Sequence, residues 1–131
     1  MPLRITLSAN ERLIVGGAVV RNGGSRADLL IENDVPILRG KEVMSLDEAK
    51  SPCRRIYFAI QLMYVDEQGM TEHTQLYWQL VKEVLEASPS MADQLTEISA
   101  AIADDKFYQA LKLARKLIVY EGELISHVAR R

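Results

Sequence analysis

Few side chains in this 131-residue chain combine the type and the spacing that chemistry requires. Cys53 is its only cysteine, and His73 and His127 are its only histidines. One thiol and two imidazoles do not make a structural zinc site, and a lone cysteine forms no internal disulfide. Cys53 lies on an apolar helix face and reads as a buried structural thiol. His73 and His127 fall near predicted helix ends, where surface or capping roles explain them. Asp104-Asp105 could act as a carboxylate pair. A helix N-terminus explains them more simply, because negative charge is favoured there. No P-loop, G-x-S-x-G elbow or H-E-x-x-H motif occurs, and neither Gly16-Gly17 nor Gly23-Gly24 fits the dinucleotide fingerprint. The residues therefore point away from an enzyme, with no catalytic set, metal or cofactor expected.

The arginines offer a different chemistry. Residues 1–55 carry Arg4, Arg12, Arg21, Arg26, Arg39, Arg54 and Arg55 and a net charge of +2, whereas residues 56–131 carry −4. The planar guanidinium suits phosphate and base-edge contacts. The most informative segment is LLIENDVPILRGKEVM, Leu29–Met44. It delivers Arg39-Gly40-Lys41 at the end of a short strand. Glycine there allows close approach of a backbone or ligand, and the two flanking cations could hold a phosphate. A solvated turn leading into a helix cap is the plainer alternative.

The elements that would position these residues fall into two unlike halves. Leu3–Leu7 alternates apolar and polar residues with a period of two, which predicts a strand. Ser8–Asn10 turns, and Arg12–Asn22 is a β-branched run broken at Gly16-Gly17 by a tight hairpin or a bulge. Asn22–Ser25 turns again, Arg26–Asn33 makes a strand, and Asn33–Pro36 leads to a short strand at Ile37–Leu38. Strands this short and this spaced suggest a small antiparallel barrel or sandwich. From residue 45 the period becomes helical. Ser45 with Glu48 fits a capping box, and Ser51-Pro52 looks like a second start. Cys53, Ile56, Tyr57, Ile60, Met63 and Tyr64 then make one apolar face. Further helices are expected at about Thr71–Ala87, with Leu76, Tyr77, Leu80, Val81, Val84 and Leu85 inward, and at about Met91–Ala103. A last helix, capped by Asp104 or Asp105, should run to about Val128. The expected class is α+β: a β part at 1–44, barrel- or sandwich-like, followed by a bundle of about four helices at 45–131.

Composition sets the outer limits. Hydrophobic residues make up 48% and charged residues 26%, a globular balance that argues against wholesale disorder. No apolar run is long enough to span a membrane, and the N-terminus lacks the pattern of a secretory signal. A cytoplasmic protein is expected.

Three stretches carry a resemblance to a known family. MPLRITLSANERLIVGGAVV, LLIENDVPILRGKEVM and AKSPCRRIYFAIQLMY, supported by ADDKFYQALKLARKLIVYEGEL, resemble the FlbT family of flagellin-synthesis repressors, over nearly the whole chain. The resemblance implies post-transcriptional control: association with the 5′ untranslated region of flagellin messenger RNA, decay or restrained translation of that message, and action beside a small flagellar partner, FlaF. It brings no catalytic residues. The first 45 residues also resemble the carbon storage regulator CsrA at the level of fold. That analogy implies Arg4 and Arg39 as RNA readers with Lys41 assisting, and Arg12 completes the expected basic edge. The alternative is a protein-binding module that engages FlaF or flagellin and touches RNA only indirectly. Trp78, Leu117 and Leu124, on the helical half, are its expected partner or dimer surface; separately, a small β part with exposed strand edges often pairs, so a homodimer is expected.

Overall fold

The computed structural model describes residues 3–129, with side chains described up to His127. Two compact units follow one another, Met1–Met44 and Ser45–Arg131. The fold is α+β, with five antiparallel strands in two sheets and then four helices. The sheets are not closed into a barrel.

In the first unit, β1 (Leu3–Leu7) pairs with β4 (Ala27–Ile31), with Ile5 opposite Leu29. β2 (Arg12–Val15) lies between β3 (Ala18–Arg21) and β5 (Ile37–Arg39). The alternation in β1 works as its spacing implies: Ile5 and Leu7 are buried and Arg4 is exposed. Ile5, Leu7 and Leu13 form the core, with Val15, Leu29, Ile31 and Ile37 packed around them. The β2–β3 link is a two-residue hairpin. Gly16 and Gly17 both take positive φ, 56° and 91°, the conformation whose twist matches the flanking strands. Asn22 fastens the next turn: its Nδ2 donates to the carbonyls of Leu7, Ser8 and Ser25, at 2.9–3.2 Å. The opposite face is left bare, with Val19 and Leu30 about two-thirds exposed.

In the second unit, Ser45 does not start a long helix. Glu48 accepts the Ser45 N–H at 2.9 Å, as a capping box requires, but only a single 3-10 turn forms, Leu46–Glu48. Pro52 forces Ser51 into extended backbone, φ −126°, so the helix must restart. α1 (Pro52–Val65) begins there, with the Ser51 hydroxyl accepting the Arg54 N–H. α2 (Met70–Ala87) buries Tyr77, Leu80, Val81 and Val84; Leu76, expected inside, is exposed. α3 (Ala92–Ala103) buries Leu95, Ile98 and Ala101, and α4 (Phe107–Ala129) follows.

Asp104 and Asp105 belong to the end of α3 rather than to the start of α4. Asp104 is the C-cap of α3, and Asp105 turns the chain with a φ of 58°. The backbone N–H groups of Asp104, Asp105 and Lys106 all donate back to α3 carbonyls. A short polar side chain tolerates that left-handed position better than most. α4's first bond instead runs from the Ala110 N–H to the Lys106 carbonyl.

The α1–α2 corner is closed by His73, whose Nε2 lies 2.9 Å from Asp66 Oδ2. That hydrogen bond is the main reason the Asp66 carboxyl sits below its ordinary pKa. A depressed carboxylate contributes stability above its unfolded pKa and loses it as pH falls through the folded value. Asp66 should therefore titrate below the ordinary Asp value in a carboxyl-detected NMR titration, and return toward it in His73→Ala. An unmoved titration would show that the contact does not persist in solution.

Candidate nucleic-acid interface

The four cations expected on the β unit differ in what they touch. Arg4 is exposed on β1 and lies 3.1 Å from Asp28, which also accepts the Thr6 hydroxyl at 2.8 Å. The Thr6 and Arg4 hydrogen bonds hold the Asp28 carboxyl below its ordinary pKa. Arg39 donates to the Thr6 carbonyl at 2.6 Å and pairs with Glu11 at 3.5 Å, so it ties β5 to β1. Gly40 is needed for a positive φ of 53°, and the Glu11 carboxylate lies 2.7 Å from where a Cβ would sit. The group that closely approaches this glycine is thus the chain's own carboxylate. Arg12 donates to the Val43 carbonyl and faces Arg21 directly across β2–β3, while Lys41 is exposed. Arg4 and Arg39 thereby have structural partners that their local sequence did not announce.

The residues expected on a partner surface also separate. Trp78 is half exposed, its ring edge-on to Tyr77 at 5.2 Å. Leu117 is fully buried, which removes it from any surface: α4 turns its Ala110, Ala114, Leu117 and Glu121 row inward. Leu124 is half buried and lines a groove of about 640 Å³ with Pro52, Cys53, Val84, Met91 and Ile125. At the groove sits a residue that the spacing analysis did not single out. Glu121 is buried, accepts the Ser51 hydroxyl, and accepts the Cys53 N–H at 3.0 Å. A carboxylate from α4 therefore caps α1, where the helix dipole favours it. Burial, and then the Glu121 charge, push the Cys53 thiol up to about 12, so it stays protonated and inert, with Met91 Sδ 3.7 Å away.

α1 and α4 run antiparallel. Three contacts set their register: Cys53 with Glu121, Tyr57 with Arg115, and Tyr64 with Tyr108. Charge in this unit is sorted by stretches of the chain. Residues 52–65 and 106–120 contain Arg54, Arg55, Lys106, Lys112, Arg115 and Lys116 and no acid. Residues 66–105, which hold α2 and α3, contain nine acids and one lysine. Two of the α4 cations lie against rings. The Arg115 guanidinium lies 5.1 Å from the centre of the Tyr57 ring and donates to its hydroxyl at 3.1 Å. Lys112 Nζ stands 5.0 Å over Tyr108, whose ring meets Tyr64 at 6.2 Å. Such an array can neutralise phosphates and present planar groups to bases. Among the described residues no group of three or more His, Cys, Asp or Glu is placed to hold a metal, and no helix is long and apolar enough to cross a membrane.

The family model described as "Flagellar protein FlbT" matches residues 3–125, which take in both units. The relatives agree along the whole length. The chain is 37% identical to the probable flagellum biosynthesis repressor protein FlbT of Caulobacter sp. (strain K31), over 98% of this chain and 100% of the relative. It is 40% identical to the probable flagellum biosynthesis repressor protein FlbT 1 of Bradyrhizobium diazoefficiens, over 95% of this chain and 85% of the relative. It is 35% identical to the flagellum biosynthesis repressor protein FlbT of Caulobacter vibrioides (strain ATCC 19089), over 98% and 93%. The chain belongs to the FlbT family. No solved structure matches it.

Proposed function

We propose that this protein represses flagellin synthesis after transcription, by binding the 5′ untranslated region of flagellin messenger RNA. Occupying that leader would block initiation or expose the message to nucleases, which places the action in the cytoplasm. The relatives' description as repressors of flagellum biosynthesis supports the biological direction. The observation that carries the RNA reading is the group of cations in residues 52–65 and 106–120, stretches that hold no acid, in a chain whose net charge is −2. Phosphate contacts from those cations, with Arg12 and Lys41 on the β unit, would supply salt-dependent affinity.

A mobility-shift titration tests it, with the protein's own flagellin leader, a scrambled RNA of equal length and a salt series. Tight, leader-specific binding is expected. Absence of binding, or equal binding to both RNAs, would move specificity to a partner. One observation favours that second reading: the apolar groove beside Leu124 and Ile125, with Ile125 59% exposed, could seat FlaF, flagellin or a second copy of the chain. Trp78, half exposed on α2, would then be a separate aromatic anchor.

A further inference from the structure

We infer that the seam between α1 and α4 recognises unpaired RNA by stacking, with Tyr108 and Arg115 as the platforms and Lys112 and Lys116 as phosphate contacts. This rests on the RNA-binding function proposed above and assigns it a site and a class of substrate.

Arg115 is the best-placed residue. Its partner Tyr57 is fully buried and cannot move aside, and a ring contact and a hydrogen bond hold the guanidinium against it. A side chain that is ordinarily mobile is thereby fixed at an exposed position. A fixed guanidinium plane is a surface on which a base stacks. Tyr108 lies two turns earlier on the same face, about 10 Å along the axis. Its ring is backed by Tyr64 and covered by the Lys112 ammonium. A base arriving on that ring displaces an exposed ammonium and leaves it beside the adjoining phosphate. Residues 52–65 and 106–120 hold no carboxylate to repel the strand; the two acids of α4, Glu121 and Glu123, come after them, and Glu121 is buried. The acids of residues 66–105 repel the strand from α2 and α3, which pack on α1 and α4 respectively. An acidic protein would use the cations but has no need of the rings. Paired RNA hides its base faces and is refused the stacking contacts.

The test uses the full chain with a fluorescein-labelled oligouridylate, the labelled flagellin leader, a duplex RNA of equal length, and polyglutamate as competitor. Circular dichroism confirms that each variant folds. Tyr108→Leu and Arg115→Lys should each weaken unpaired RNA about tenfold while leaving the salt slope unchanged. Lys112→Gln with Lys116→Gln should lower the slope by about 1.4. Full affinity in folded Tyr108→Leu and Arg115→Lys would overturn the seam while leaving an RNA-binding repressor in place. Failure of the unaltered protein to bind any RNA would overturn both. Duplex bound as tightly as unpaired RNA would overturn stacking, and so would polyglutamate competing as well as RNA; the latter would mark the seam as a surface for an acidic protein.

Discussion

Leu117→Ala is expected to destabilise the helical unit by about 3 kcal/mol, read as a lowered urea midpoint with an unchanged slope. Leu117 is fully buried on the inward row of α4, between Ala114 and Glu121. Truncation removes the transfer energy of its lost carbons and leaves a cavity that two alanines on the same row, Ala110 and Ala114, cannot fill. The size of the effect separates two roles. A leucine that served a partner surface would cost little in the isolated chain and much in a complex. An unchanged midpoint would therefore return Leu117 to the surface and require α4 to be rotated.

The second large effect falls on Glu121. Replacing it with alanine strips α1 of its cross-helix cap, leaving the Cys53 N–H and the Ser51 hydroxyl without their carboxylate. The expected cost is about 2 kcal/mol, the sum of a lost charged cap and a buried donor left unsatisfied. Glu121→Gln keeps the shape and an acceptor oxygen for the Cys53 N–H, while its amide can donate to the Ser51 hydroxyl instead of accepting from it; it should cost about half as much, from the lost charge at the helix N-terminus and the reversed Ser51 bond. Equal stability of Glu121→Ala and the unaltered protein would mean that water replaces the carboxylate from the groove side.

The difference between these two residues marks how far the sequence could be read. Strand β1 lies at Leu3–Leu7, where the alternation puts it, and the Gly16-Gly17 hairpin and the Ser51-Pro52 helix start are equally local. Each depends on residues within a few positions of one another, so pattern and turn chemistry suffice. Leu117 and Leu124 looked alike because both fall on a wide apolar face. Only the packing of α1 and α3 against α4 decides which is covered. The capping box at Ser45 is real but stops after one turn, because Pro52 overrules it. Glu121 could not be found at all, since its partners lie about seventy residues earlier in the chain.

The candidate interface was half hidden for a different reason. Arg39-Gly40-Lys41 drew attention as a motif, yet Arg39 and Gly40 are explained by Thr6 and Glu11, residues from a different strand and loop. The α1–α4 array was obscured by averaging. A net charge of −4 over residues 56–131 averages the acid-free stretch 106–120 with the acidic stretch 66–105, and leaves Arg54 and Arg55 of α1 on the other side of the cut. Cutting the sequence at residues 66 and 106, rather than at 56, separates the acidic stretch from the cationic first half of α4 without any structure.

The cap from α4 also dictates an order of events in time. The Cys53 N–H waits for a carboxylate that lies 68 residues further along the chain. At about 5–20 residues per second, a ribosome supplies that carboxylate roughly 3–14 s after the helix it serves. Until then the start of α1 frays, and its apolar face has no α4 to cover it. The helical unit therefore closes by a long-range contact rather than growing outward from its first helix, and its folding rate should be set by loop closure rather than by helix formation. Nascent chains that stop short of residue 121 should stay open to proteases along α1, and those that pass it should become resistant together.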